Sequence, residues 1–226
     1  MRRTILEIIQ QLQAYGSCDV ADGLTKIKHH CGGYLEGLVM YSPKFQDGDT
    51  KIVGQAFTVK FVPKSDTNAP SLNGHYLDMV PANHVLFISQ PTPHLHAVFG
   101  GLMSLRAQKL GAAGVVVDGK IRDLGEHRAL GIPVFARSVG TTAPNEAYRV
   151  SEVNVPVQLQ TDLQNVLISP GDFIVADLNG VVCLPRDLAD QVLDAIPSKL
   201  EADELCAEGI RSGRSVQEVF KEFRGK

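Results

Sequence analysis

The sequence predicts an α/β fold, and three observations predict it. Residues 51–62 (KIVGQAFTVKFV) and 84–90 (HVLFISQ) are rich in β-branched and aromatic side chains and read as strands. Residues 114–119 (GVVVDG) form a short apolar run bounded by glycines, which suits a strand buried on both faces. Helical stretches at 99–110 and 122–130 separate these runs from one another and from a further strand at 133–137. Such strand–helix–strand alternation argues for a parallel sheet with crossover helices.

The remaining elements follow in order. Ile5, Ile8, Ile9 and Leu12 recur at helical spacing and predict an amphipathic opening helix. The run starting at Asp19 opens a second short helix. Residues 63–75 are polar and carry Pro63, Pro70 and Gly74, which predicts a loop long enough to be functional or mobile. In the helix at 99–110, Leu102, Leu105, Ala107 and Leu110 are expected to form the buried stripe. Strands are expected at 153–159, 166–168, 173–176 and 181–184, with turns at 169–172 (SPGD) and 177–180. From Leu188 onward the chain reads as helical, broken around 209–213, with solvated charged faces over 199–226.

Composition limits the class. The chain has 226 residues, 44% hydrophobic and 21% charged, which suits one large domain or one domain with a helical tail. A formal net charge of −3 with no basic cluster predicts no nucleic-acid partner and no acidic membrane partner. No apolar run approaches the roughly 18 residues of a membrane span. Glu7, Gln10, Gln11 and Gln13 interrupt the apolar N-terminal stretch and argue against a secretory signal. Arg2 and Arg3 leave a mitochondrial presequence as the alternative to a cytoplasmic protein. Cys18, Cys31, Cys183 and Cys206 lack the short gaps of a zinc or redox pair and are expected as reduced thiols, Cys183 in the core.

Two segments carry candidate chemistry. Gly100, Gly101, Leu102 and Met103 open a helix, where glycines let backbone approach a ligand and the first amides have no intrahelical partner. That arrangement suits a carboxylate or phosphate. Taken alone, it reads more readily as a helix start whose glycines permit close packing. The second segment, 118–123 (DGKIRD), follows an apolar strand, and ligands of parallel α/β sheets bind beyond the carboxyl ends of strands. Arg122 offers a planar fork for a carboxylate, and Asp123 offers hard oxygens to Mg²⁺ or a similar cation. The alternative is a solvated Arg122 and an Asp123 that caps the next helix; spacing alone does not separate the two. His94 and His96 would share a strand face but lack a third ligand. His29 and His30 read as surface residues, and Glu126 and Arg128 as structural ion-pair partners.

The stretch GGLMSLRAQKLGAAGVVVDGKIRD (100–123) closely resembles the signature of the RraA-like family, which includes 4-hydroxy-4-methyl-2-oxoglutarate aldolases. CDVADGL (18–24), GIPVFARSVGTTAP (131–144) and SPGDFIVADLNGVVCLP (169–185) extend the likeness, and IRDLGEHRALGIPVFA looks most like fungal-type members. The resemblance implies one RraA-like domain over 1–226: N-terminal helices 1–30, an α/β core 31–186 and C-terminal helices 187–226. Its fold would be a layered ββα sandwich related to swivelling, phosphohistidine-type domains. The assembly would be a homotrimer, or a hexamer, with sites between subunits.

The resemblance also implies roles. Backbone groups of Gly100, Gly101, Leu102 and Met103 would hold the pyruvate part of a small 2-oxo acid, Arg122 would grip its oxygens, and Asp123 would ligate a divalent metal, Mg²⁺ or Mn²⁺. Retro-aldol cleavage of 4-hydroxy-4-methyl-2-oxoglutarate and decarboxylation of oxaloacetate would share one pyruvate enolate. The family also includes regulators that inhibit an RNA-degrading endonuclease and lack the Arg-Asp pair, whereas this sequence has Arg122-Asp123. One departure stands out. Many aldolase members carry an acidic residue where this sequence has Gly101, so Asp177 or Asp22 from elsewhere in the trimer would have to supply it, or the substrate would be a different one.

Overall fold

The computed structural model describes residues 2–225. In chain order, α1 (Ile5–Leu12) and α2 (Ser17–Lys26) precede β1 (Tyr34–Leu35), β2 (Val39–Ser42), β3 (Ile52–Pro63), β4 (His84–Ser89) and β5 (Ala97–Phe99). Then come α3 (Gly101–Lys109), β6 (Gly114–Ile121), α4 (Leu124–Leu130), β7 (Val134–Val139), β8 (Tyr148–Val153), β9 (Val157–Gln158) and β10 (Leu167–Ile168). The hairpin β11 (Phe173–Asp177) and β12 (Gly180–Leu184) leads into α5 (Ala189–Arg211) and α6 (Val216–Phe223).

The result is a mixed α/β fold with a large mixed sheet. Ten strands share it, in the order β1-β12-β11-β3-β4-β6-β7-β2, with β5 against β6 and β8 against β3; β9 and β10 pair apart. The expected parallel arrangement holds in the centre, where β3, β4, β6 and β7 run parallel. It fails on the flanks, where β1, β2, β8, β11 and β12 pair antiparallel. The two-residue link between β11 and β12 permits only a hairpin, because a parallel return needs a crossover of about a dozen residues. The strand expected over 153–159 is two elements. β8 lies upstream and pairs with the far half of β3, and only Val157–Gln158 is extended beyond it.

The apolar runs in the central strands follow from burial on both faces. In β4, Leu86 and Ile88 face one core while Val85 and Phe87 face another; in β6, Val115 and Val117 oppose Val116 in the same way. The first core lies under α3 and α4. A third lies under α1, α2 and α5, built from Ile8, Leu12, Leu24, Val53, Phe173, Val192 and Ile196. α1 starts at a capping box, Thr4 accepting from the Glu7 amide and Glu7 accepting from the Thr4 amide at 2.7 Å. Its C-terminal end is held by Lys51, whose ammonium donates to the carbonyls of Leu12 and Gln13 at 2.9 and 2.8 Å and to that of Tyr15.

The stripe expected on α3 holds at Ala107, which is buried, and at Leu110, which packs against the first core, and is corrected at Leu102 and Leu105. Leu102 is 72% exposed and Leu105 40% exposed, and the inward positions are Gly101, Ser104 and Ala107. Small residues three apart let α3 press close to α4 and the sheet, and that closeness shapes the site. No helix among the described residues is long and apolar enough to cross a membrane.

Candidate active site

β5 and β6 end side by side. The Arg122 amide donates to the Phe99 carbonyl at 3.0 Å, which fixes the chain after β6 against the chain entering α3. Gly100, in extended backbone, is the N-cap of α3. A Cβ there would lie 2.6 Å from Asp123 Oδ2 and 3.3 Å from Arg122 Nε, so a side chain at this position would displace the Asp123 carboxylate from where it stands. The glycines thus serve close approach, and what approaches is the Arg122-Asp123 pair.

Asp123 does not cap its own helix through its side chain. It holds left-handed backbone, φ 63° and ψ 43°, which Asp tolerates better than most residues. Its side chain makes no capping bond to α4. Instead Oδ2 accepts the Gly101 amide at 3.1 Å and lies 3.4 Å from Arg122 Nε, with both side chains partly open to solvent. The carboxylate therefore faces α3. Because it takes the Gly101 amide, the open amides of this helix start are those of Leu102 and Met103.

Glu126, one turn along α4, was expected in a structural ion pair. The structure places it over the glycine turn. A Cβ built on Gly101 would meet Glu126 Oε2 at 1.8 Å, Cδ at 2.4 Å and Cβ at 2.7 Å. The glutamate thus fills the space a side chain at position 101 would need. Its signal in the sequence is faint: three residues after Asp123 on a helix, opposite a glycine. Arg128 donates Nε to the Tyr41 carbonyl at 3.1 Å.

Beneath these groups sits a buried pair, Ser104 Oγ and His127 Nδ1 at 2.6 Å, both fully inaccessible. Burial pushes the His127 imidazole below its ordinary range, against the upward pull of the Arg122 carbonyl and the Asp123 charge. The ring stacks on Phe99, centroids 5.7 Å apart, and its bond to Ser104 links α3 to α4.

Other candidates fall outside the site. Asp177 accepts the Ser17 amide and hydroxyl, both at 2.7 Å, and so caps α2. Asp22 faces Lys199 at 3.6 Å. Neither lines the pocket within this chain. Asp118 is fully buried, paired with Arg137 and bonded by the Gln160 amide at 2.6 Å; burial raises its pKa. His94 bonds the Gln90 carbonyl from a loop, not a strand. Cys183 is buried, as expected, and burial raises its thiol far above the usual range.

Gly100, Gly101, Leu102, Met103, Arg122, Asp123 and Glu126 line one end of a pocket of about 750 Å³. The other end, not foreseen from the sequence, is walled by Phe61, Leu72, Tyr76, Tyr148 and Val150. Among the described residues no three His, Cys, Asp or Glu side chains cluster as a complete metal cage. Two carboxylates at the turn nonetheless fit a hard divalent cation of the Mg²⁺ kind, which takes one or two carboxylates and leaves other positions to water and substrate.

A glycine turn at a helix start, an arginine and two carboxylates thus meet beyond the ends of β5 and β6 on an α/β scaffold. The chain belongs to the RraA-like family, whose Aldolase/RraA model matches residues 17–183. Protein DlpA of Legionella pneumophila is 28% identical over 222 residues, 97% of this chain and 34% of that protein. The 4-hydroxy-4-methyl-2-oxoglutarate aldolase of Thermus thermophilus is 34% identical over 106 residues, 46% of this chain and 61% of that protein. The chain thus spans about a third of the first relative and less than two thirds of the second. Streptomyces coelicolor RraAS2, described as an unusual member of the RNase ES inhibitor RraA protein family, superposes with a TM-score of 0.74 at 25% identity, covering 90% of this chain and 97% of that one.

Proposed function

We propose that this chain is a divalent-metal-dependent lyase that cleaves small 2-oxo acids through a pyruvate enolate, by retro-aldol reaction, by decarboxylation of oxaloacetate, or by both. The observation that carries the reading is the convergence of Arg122, Asp123 and Glu126 on the Gly100-Gly101 turn that opens α3. The amides of Leu102 and Met103 receive the substrate carboxylate at the positive end of the helix. Arg122 pairs with the substrate's carboxylate or 2-oxo oxygen and so fixes its orientation. Asp123 and Glu126 would hold Mg²⁺ or Mn²⁺. The cation, when bound, withdraws electron density from the 2-oxo group and so favours the enolate. Glu126 also supplies the carboxylate that Gly101 lacks, within reach to orient a water or to accept the C4 hydroxyl proton. Swivelling-domain kinship, a homotrimeric assembly and a cytoplasmic location belong to the same proposal.

The test is pyruvate release from oxaloacetate and from 4-hydroxy-4-methyl-2-oxoglutarate, with and without Mg²⁺ or Mn²⁺, beside Asp123→Ala. Metal-dependent release from either substrate, lowered by about 10²-fold or more in the variant, is expected. No metal-dependent pyruvate from either substrate would overturn the reading. A regulator of the kind RraAS2 is named for would then be the better account.

A further inference from the structure

Arg122 and Asp123 are aimed by a backbone turn. Asp123 stands in left-handed backbone, which residues other than glycine keep only when their surroundings hold them there. Its own carbonyl is held by the amides of Glu126 and His127 at 3.0 and 3.2 Å, and its carboxylate by the Gly101 amide. The residue before it is held on one side only. The Arg122 amide bonds the Phe99 carbonyl, while no backbone amide among the described residues donates to the Arg122 carbonyl.

The group beside that carbonyl is His127. Its ring is fully buried, stacks on Phe99 and meets Ser104 Oγ through Nδ1 at 2.6 Å. The second nitrogen, Nε2, is buried and has no hydrogen-bond partner among the described residues. With Nδ1 taken by Ser104, the pull of the Arg122 carbonyl on the ring acts from the Nε2 side. A ring nitrogen and a carbonyl, neither with an aligned bond, thus stand near each other. Their contact attracts only if Nε2 carries a hydrogen, since a bare lone pair would repel the carbonyl oxygen. A charged ring has a hydrogen on both nitrogens; an uncharged one would place its single hydrogen on Nε2 and take the Ser104 hydroxyl on Nδ1. An apolar side chain would pack on Phe99 without burying an unpaired nitrogen.

We infer that His127 is a positioning residue: its Nε2–H closes on the Arg122 carbonyl when cation and substrate bind, and with Ser104 behind it holds the Arg122-Asp123 turn in the shape that presents the Asp123 carboxylate. The inference rests on the metal-dependent enolate reading of the site. Hydrogen bonds at active sites are often long or poorly aligned in unliganded proteins and tighten in the complex. Groups one layer behind metal-holding side chains act by fixing their orientation.

Two measurements on the whole chain test this. The first is Mn²⁺ affinity, read by paramagnetic resonance of the free ion, for the unsubstituted protein, His127→Asn and His127→Gln. A glutamine amide reaches the place of Nε2 and keeps a donor there, whereas an asparagine amide reaches only that of Nδ1. Binding is expected to weaken about 10-fold or more in His127→Asn and to be largely restored in His127→Gln, although both variants lose the ring that packs on Phe99. Equal affinities in all three proteins, or equal losses in both variants, overturn the inference and leave the metal reading standing. The second is the long-range ¹⁵N–¹H spectrum of the His127 ring in the unsubstituted protein, which decides alone should the variants fail to fold. Nε2 is expected to carry a hydrogen whose resonance moves downfield when Mg²⁺ and pyruvate are added. A bare Nε2, or a resonance that neither addition moves, overturns the inference. An unsubstituted protein that binds no Mn²⁺ and releases no pyruvate from either 2-oxo acid overturns the metal-dependent reading, and the inference with it.

Discussion

Gly101→Ala tests the claim that Glu126 occupies the space of a side chain at position 101. The carboxylate end of Glu126, 1.8 Å from the added Cβ, can swing away because it is exposed. The Glu126 Cβ, at 2.7 Å, cannot. Carbon atoms need about 3.5 Å, so the starts of α3 and α4 must separate by about 1 Å. That movement pulls on the 3.1 Å bond from the Gly101 amide to Asp123. Overpacking of this kind costs about 1–3 kcal/mol, and replacing a helical glycine by alanine returns about 0.5–1 kcal/mol. A net loss of about 0.5–2 kcal/mol is expected by urea denaturation, with metal-dependent pyruvate release down about 10²-fold as the carboxylates lose their placement. Glu126→Gly removes the opposing Cβ, so in the double variant the clash vanishes and the two changes couple by about 1 kcal/mol or more. Additive effects, or a Gly101→Ala protein that is more stable and fully active, would refute the reasoning.

Three further outcomes follow from the same geometry. Ser104→Ala leaves His127 Nδ1 buried without its partner and should lower stability by about 1–3 kcal/mol in denaturant melts; an unchanged midpoint would show the pair to be incidental. Lys51→Met removes the ammonium from the last carbonyls of α1 and should cost about 1–2 kcal/mol, with proteolysis near residue 13 as a second readout. Burial alone would raise the Asp177 carboxyl, but hydrogen bonds from Ser17 and Asn179 outweigh it and hold it below the ordinary value. Such a group stabilises the fold above about pH 4, its unfolded pKa, and loses that contribution as pH falls through the lower folded value. Asp177→Asn should therefore flatten the fall in stability below about pH 4; an unaltered acid limb in pH-dependent melts would contradict this.

The legible parts of the chain were those built from neighbours in sequence. The glycine turn and Arg122-Asp123 stand at the two ends of one helix–strand unit, so the order of the residues alone places both at the carboxyl end of the sheet. The central strands were legible because burial on both faces leaves an uninterrupted apolar run. What escaped depends on contacts between distant segments. Nothing local announces that β8 returns to the far half of β3. Leu102 and Leu105 read as a buried stripe because size usually marks the inner face; here close helix packing puts glycine, serine and alanine inside. The place of Glu126 depends on how near α4 approaches Gly101, a distance the sequence does not carry.

The two ends of the pocket also come from different parts of the chain, and this bears on how the site tolerates change. The charged end is made by 100–103 and 122–126, locked together by the Phe99–Arg122 bond, the Gly101–Asp123 bond and the Ser104–His127 pair. A change at position 101 must therefore be answered at 126. The distal wall comes from β3, β8 and the 63–75 loop, the loop held by Arg149 and by Ser151, which donates to the Pro70 carbonyl at 3.0 Å. Those bonds belong to the wall alone. Substitutions at Leu72 should thus combine with substitutions at Glu126 additively, within about 0.5 kcal/mol in ligand affinity, while Gly101 and Glu126 should not. If Leu72 and Glu126 variants instead couple strongly, the pocket acts as one unit, and substrate choice cannot be altered without disturbing the carboxylates.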